Sequence, residues 1–508
     1  MNKTFLLLTF CLSLFLFNCS GKNPGKSIII QGIDYSPTTF DPAIINDLVT
    51  GQIFPHIIET LVTLDKQSRL IQPCLAERWE ISNNFRKYKF WLKGNVFFHD
   101  TTIVTSYDVS ASFLRQFDNT NSFNYNRKLN LFEYNYKNII QKIEITNQSE
   151  IIFYLKRQDA LFLYMLSSPF SAGIISQTSL KKNIENKIFM PIGTGPYYFQ
   201  RRDENGLIKL KAFEKYHNYK PIIKELLFYA KNQSDLERLM FIDSINVLYR
   251  IRGSMVERFR TNTSLNINVL PPLSTFYLGF NLNSKLLSDK QIRKYISSSI
   301  DKLGLISITN RTNAEAAQGP LPPGLWNSKV TEKHEQRNTL SGEDNNLKNI
   351  SFRVIGYVPS ERNKFFFNAI IQSIKKLNIT IKEDYYSDWE SYFEERKKNN
   401  YDLFFSTWRS DILGDPYFFL YDLFHSESTN NGFHYKNVSV DSLLDLARIT
   451  ESRDQRNIYY QQILDIIEED VPAVFIHHPK EVFVVNKRFS PIIIDPYGYI
   501  HFEKIITY

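Results

Sequence analysis

Residues Tyr401–Phe424 read YDLFFSTWRSDILGDPYFFLYDLF. The run Leu403-Phe404-Phe405 is short, aromatic-rich and flanked by Asp402 and Ser406, the profile of a buried strand. The strand is expected to run out at Thr407-Trp408. A polar loop follows through Arg409, Ser410, Asp411 and Gly414. Asp415 then precedes Pro416 and the aromatic run Tyr417–Tyr421, which predicts a helix capped by Asp415 with Pro416 in its first turn. One large aromatic and one carboxylate thus stand just beyond the end of a buried strand, where open α/β sheets bind ligands. Taken alone, the stretch favours a plainer reading, with Trp408 as core and Asp411 as a turn residue.

Working outward, the fifty residues before this stretch alternate in period. Phe352–Val358 predicts a strand, Glu361–Leu377 a helix with Phe366, Ala369, Ile370, Ile374 and Leu377 on one face, Ile379–Ile381 a strand, and Trp389–Asn399 a helix. Such alternation gives an α/β layer with a parallel sheet and helices on its faces. It places Trp408 and Asp411 at the carboxyl rim of that sheet. Earlier in the chain, Ser27–Gly32 predicts a strand, Asn46–Leu61 a helix, Lys87–Lys93 a half-exposed strand, and Thr105–Phe117 a helix.

A chain of 508 residues points to two to four domains. Its 43% hydrophobic and 22% charged residues describe a globular protein with sizeable cores. The net charge of +8 is spread among interleaved acids and bases, which argues for a solvated mixed surface and against a nucleic-acid footprint. The amino terminus has one positive residue, Lys3, then an uncharged apolar run from Phe5 to Phe17, the pattern of an export signal. Leu16-Phe17-Asn18-Cys19 resembles a bacterial lipobox, with Phe17 and Asn18 in place of small residues. It implies a lipoprotein signal segment over residues 1–19, in which the residues before Cys19 are removed and Cys19 is lipidated as the new amino terminus. Residues 20–26, with Gly21, Pro24 and Gly25, read as a tether. Cys11 lies in the removed segment, so Cys74 is left without a disulfide partner and reads as a small buried hydrophobe.

Several short motifs recur in one order. They are Pro37-x-x-Phe40-Asp41-Pro42, Leu75-Ala76-Glu77-x-Trp79-Glu80, Val96-x-Phe98-His99-Asp100, Val104-Thr105-x-x-Asp108-Val109, Gly193-Thr194-Gly195-Pro196-Tyr197, Phe280-Asn281, Gly319–Gly324, Tyr435-Lys436-Asn437, Ala447-Arg448 and Asp470-x-Pro472. Their order and spacing resemble the family 5 extracellular solute-binding proteins, the receptors of oligopeptide, dipeptide and nickel importers, from about residue 28 to 485. The resemblance implies a periplasmic-binding-protein type II fold, α/β, with two lobes joined by a hinge and an additional inserted domain. Lobe I would comprise 27–52, 170–265 and 478–508, the inserted domain 53–169, and the other lobe 266–477. The polar stretch Arg337–Asp344 departs from the helix usual in the family.

The same resemblance implies that Asp411, three residues after Trp408, pairs with a ligand ammonium, that Trp408 and Tyr277 cover ligand side chains, and that Leu48 offers backbone hydrogen bonds. Pro416 follows Asp411 by five residues where the family has four. Arg409 either pairs with a ligand carboxylate or caps a helix. Phe405 occupies the position at which some oligopeptide receptors carry an arginine. Function by resemblance is capture of a peptide or related small solute and delivery to a membrane permease, by a lipid-anchored monomer outside the cytoplasm, without cofactor or catalysis. A surface lipoprotein used for adhesion or sensing, or a secreted hydrolase, are the alternatives. His477-His478 and His99-Asp100 lack the spacing and further ligands of a zinc site, and no nucleophile or phosphate-loop motif is present.

Overall fold

The computed structural model describes residues 27–37, 39–43, 48–65, 68–117, 136–186, 189–249, 251, 253–308, 313–323, 325, 350–358, 361–409, 414–489, 491–494 and 499–505. Residues 1–26, with Cys19, and the departure at 337–344 lie outside them.

Two mixed sheets carry the molecule. The first has seven strands in the order Leu265–Leu270, Glu481–Asn486, Val247–Tyr249, Ile28–Ile33, Glu225–Ala230, Ile208–Ala212 and Tyr197–Arg202. The second has six, in the order Ala314–Ala316, Ala473–Pro479, Ser274–Phe280, Leu403–Arg409, Ser351–Tyr357 and Thr380–Tyr386. A separate four-stranded antiparallel sheet, built from residues 76–92 and 140–155, belongs to the segment between strands Ile28–Ile33 and Tyr197–Arg202 of the seven-stranded sheet. The chain is of the α/β class, with two lobes, each built on one of the large sheets.

The chain passes between the two large sheets at two adjacent points. Strand Leu265–Leu270 is followed by Pro271-Pro272-Leu273 and then by strand Ser274–Phe280. Strand Ala473–Pro479 is separated from Glu481–Asn486 by Lys480 alone. Both crossings are short extended segments, and the strands on either side of them pair with each other. This is the arrangement of a hinge, in which a few residues at element ends absorb the change in backbone angle.

The second sheet shows why sequence and structure partly diverge. Strand Ser351–Tyr357 pairs in parallel with Thr380–Tyr386 and with Leu403–Arg409, as the alternation predicts. Its next neighbour, Ser274–Phe280, runs antiparallel to Leu403–Arg409. Every residue of Ser274–Phe280 is buried, because both faces of this central strand are covered. Phe276, Leu278, Phe280, Phe405 and Ile476 pack on one face, and Tyr277, Phe404, Ile355 and Phe475 on the other. The second of these cores runs on into the inserted domain through Leu61, Phe90, Phe153 and Phe162. The buried pair Asp159–Arg448, with N–O distances of 2.7 and 3.1 Å, joins the same two parts.

The helix expected over 46–61 is shorter. Leu48–Ile53 is α-helical, and one 3₁₀ turn, Phe54–His56, ends it. Pro55 sits inside that turn, where it removes a backbone donor. Ile57, Ile58 and Leu61 remain fully buried, so their apolar spacing reports the core and not a continuing helix.

The turn at Gly193-Thr194-Gly195 lies against this segment. A Cβ on Gly195 would stand 2.4 Å from the carbonyl oxygen of His56, and one on Gly193 would stand 2.2 Å from that of Ile57. The backbone amide of Gly195 also donates to Ile57 O at 3.0 Å. The obstacle is main chain, which cannot swing aside. Gly195→Ala is expected to cost about 1–3 kcal/mol of stability by overpacking, read as a lowered urea midpoint. A midpoint within error of the parent would contradict this close approach.

Candidate functional site

A cavity of about 1190 Å³ lies between the two large sheets. Pockets for drug-sized ligands span roughly 300–1,000 Å³, so this one admits a ligand at or beyond that size. Three parts of the chain wall it: the first lobe, the edge of the inserted domain at Thr63–Asp65 and Gln72–Cys74, and the second lobe.

Opposite the second lobe two carboxylates organise the wall, the partly buried Glu59 and the buried Glu503. Glu59 accepts hydrogen bonds from Tyr216 Oη at 3.0 Å and Thr194 Oγ1 at 2.8 Å, and lies 2.8 Å from His217 Nε2. Cys74 Sγ sits 3.7 Å from the same carboxylate. Cys74 is half-buried and lines the cavity, so it is not the fully buried hydrophobe expected. Burial, then the Glu59 charge, push its thiol pKa up, which keeps the sulfur protonated.

Glu503 is the second carboxylate. Its Oε1 accepts from Tyr219 Oη at 3.1 Å and lies 2.8 Å from His501 Nδ1. Burial alone would raise its pKa, but the His501 hydrogen bond and charge hold it below the usual carboxylate range. Nearby, His56 Nδ1 is 2.9 Å from Tyr499 Oη, and burial lowers the His56 pKa to about 4.

The second lobe supplies the end of strand Leu403–Arg409. Trp408 and Arg409 both line the cavity. Trp408 is half-buried, one part against the core shared with the inserted domain and one part on the cavity, so packing and contact are compatible at this residue. Arg409 reaches across the hinge. Its Nη1 donates to Glu481 Oε1 at 2.9 Å and to Tyr249 Oη at 3.4 Å, both on the first lobe. It therefore bridges the lobes.

Tyr277 is placed otherwise than expected. It is fully buried among Phe404, Phe433 and Phe475, with ring centroids at 5.9, 5.4 and 6.1 Å. Its strand does reach the cavity, but through Ser274 and Phe276, which alternate with it. Leu48 begins the helix Leu48–Ile53, and its side chain lies outside the described residues. So does Asp411, together with Ser410, Ile412 and Leu413. Asp415 caps the next helix, accepting from Tyr417 N at 3.0 Å, and it also forms a buried ion pair with Arg456. Reasoning from sequence missed Glu59, Tyr219 and Glu503. They come from segments far apart in the chain, and none sits in a motif that singles out a cavity.

A family model, the middle portion of the family 5 bacterial extracellular solute-binding proteins, matches residues 71–431. The chain belongs to this family. A probable di/tripeptide-binding protein 5 from Pseudomonas aeruginosa is 25% identical over 504 residues, covering 92% of this chain and 94% of the relative. A dipeptide-binding protein of Escherichia coli is 25% identical over 511 residues, covering 93% and 92%. Among solved structures, the ABC transporter-associated periplasmic binding protein DppA from Helicobacter pylori, in complex with the peptide STSA, superposes with a TM-score of 0.81 at 22% identity, covering 94% of this chain and 98% of that one. That likeness establishes the fold. The family consists of binding proteins, and the cavity of this member lies where its two lobes meet.

Proposed function

We propose that this protein captures peptides, or a closely related small solute, in the interlobe cavity and passes them to an ABC permease in the membrane. The supporting observation is the 1190 Å³ cavity walled by both lobes next to two short chain crossings, in a member of a solute-binding family. The dipeptide and di/tripeptide names of its relatives, and the peptide held by the solved neighbour, give the ligand class. Hinge closure would bury the ligand and join the two lobe surfaces that a permease meets. In this reading lobe I comprises 27–52, 170–265 and 478–508, with 53–169 inserted and 266–477 forming the other lobe. The mature chain starts at a lipidated Cys19, works as a monomer held to the envelope membrane by its acyl chains, and carries out no bond chemistry.

Asp411 is the proposed partner of the ligand ammonium, with Trp408 beside it. A carboxylate and an ammonium enclosed together depend on one another, and loss of one leaves the other buried without a partner. That costs roughly 3–5 kcal/mol, or about 100-fold or more in affinity. The test is a peptide-pool titration followed by melting temperature, since ligand bound only to the folded state raises it with concentration. A saturable rise is expected, reduced at least 100-fold in apparent affinity by Asp411→Ala. No shift with any peptide pool would overturn peptide capture. A shift untouched by Asp411→Ala would remove only that residue's role.

A further inference from the structure

The two walls of the cavity differ in chemistry. The first lobe and inserted domain contribute the charged groups Glu59, Asp65, Lys93, Glu503 and Lys504. Among the described residues, the second lobe contributes two titratable side chains other than tyrosine, Arg409 and His477. Arg409 is engaged by Glu481 on the other lobe, and His477 is buried, stacked on Phe276 with ring centroids 5.1 Å apart.

Besides Trp408 and the uncharged polar Ser274, Asn363, Ser406 and Thr407, that wall carries two groups of packed aromatic rings. Phe367 stacks on Phe405 at 4.1 Å and 26°. Phe276 packs on both, at 5.5 and 5.9 Å. Tyr357 and Trp389 meet edge to face at 5.6 Å and 85°. These five come from three neighbouring strands and the helices Glu361–Lys375 and Trp389–Lys397, so rigid elements fix their positions. All five line the cavity, and Trp389 keeps 36% of its surface accessible. Asp388 caps the helix on which Trp389 stands, accepting from Ser391 N at 2.8 Å, which sets where the indole begins. These rings offer no opposite charge to a charged group, and they repay apolar surface brought out of water.

We propose that this wall is a specificity subsite for a bulky apolar or aromatic side chain of the bound peptide, with Trp389 and Tyr357 covering it and Phe367, Phe405 and Phe276 as its floor. The inference rests on peptide capture as read above. The subsite selects by side chain, whereas the charged wall and Asp411 bind the polar parts of the ligand.

The test is calorimetric titration of alanine tetrapeptides carrying one Phe, Lys or Glu at each position in turn. At one position Phe is expected to bind at least about tenfold tighter than Ala, as burial of one large apolar side chain warrants, and Lys and Glu more weakly than Ala. Trp389→Ala should bring the Phe preference below about threefold. Trp389→Phe should restore most of the preference. Trp389 is partly exposed at a helix start, so both variants are expected to fold, checked by their unliganded melting temperatures. Equal affinity for Ala and Phe at every position would overturn the subsite and leave peptide capture standing. A preference unchanged by Trp389→Ala and by Tyr357→Ala would overturn it as well. Absence of binding by every tetrapeptide, including the all-alanine parent, would count against peptide capture itself and take the subsite with it.

Discussion

Asp415→Ala is expected to cost about 3–5 kcal/mol of folding stability. The carboxylate and its partner Arg456 are each only 2% exposed. Asp415 Oδ2 accepts from Arg456 Nη2 at 2.8 Å and from Nε at 3.2 Å, and Oδ1 accepts from Tyr460 Oη at 2.6 Å. The remaining nitrogen of Arg456, Nη1, donates to the carbonyls of Thr450 and Glu451, at 3.0 and 2.6 Å. One carboxylate thereby ties the start of helix Pro416–Phe424 to the long helix Arg453–Asp470. Its loss leaves a guanidinium in the core with carbonyls but without its anion, and a tyrosine hydroxyl without its acceptor. The urea midpoint of Asp415→Ala should fall far below that of surface controls such as Glu394→Ala. The double variant Asp415→Leu/Arg456→Met should recover much of the loss, because removing both charges removes the uncompensated one. An Asp415→Ala midpoint close to the parent's would refute the pair as an anchor.

The anchor also shows what a reader of the sequence could and could not see. The Asp-Pro pair before an aromatic run signals a helix start, and the structure places the cap at Asp415. The second duty of Asp415 depends on Arg456, forty-one residues on and in another helix, and no local pattern joins them. The parallel part of the second sheet was legible because strand and helix periods alternate from 351 to 424. Its antiparallel neighbour was not, because Ser274–Phe280 arrives from more than seventy residues earlier. Facing was the harder question. In a strand buried on both faces, Phe276 and Tyr277 are equally apolar neighbours, and a shift of one residue exchanges their faces. Choosing Tyr277 for the cavity was a choice of phase that the sequence leaves open. The three-walled cavity is harder still to read. Glu59, Trp389 and Glu503 meet around one volume only after two lobes and an inserted domain have been assembled.

Stability is expected to fall steeply between pH 6.5 and 5, and three histidines set the slope. Burial is the leading cause in each, and it lowers the pKa values of His56, His99 and His478 to about 4. Their hydrogen bonds fit the neutral ring. His99 Nδ1 accepts from Gly193 N at 3.3 Å while Nε2 lies 3.0 Å from Gly195 O, so one nitrogen must keep its lone pair. Below the unfolded value of about 6.5, the unfolded chain takes up a proton at each site and the folded chain does not. The unfolded state therefore binds more protons, and stability declines as pH falls, by about 1.4 kcal/mol per pH unit for each histidine. Three such groups together remove several kcal/mol between pH 6.5 and 5. Glu503 acts in the same direction, but its pKa lies below the ordinary carboxylate value, so its contribution is lost only under more acidic conditions. Urea unfolding at half-unit steps from pH 8 to 5 should give a plateau above pH 7 and a decline below it. His99→Gln should flatten the decline by about one histidine's share, since glutamine cannot titrate. Equal stability at pH 7 and pH 5 would show that these rings are protonated at no cost to the fold. That result would contradict the singly protonated His99 bridging the two glycines of the Gly193–Gly195 turn.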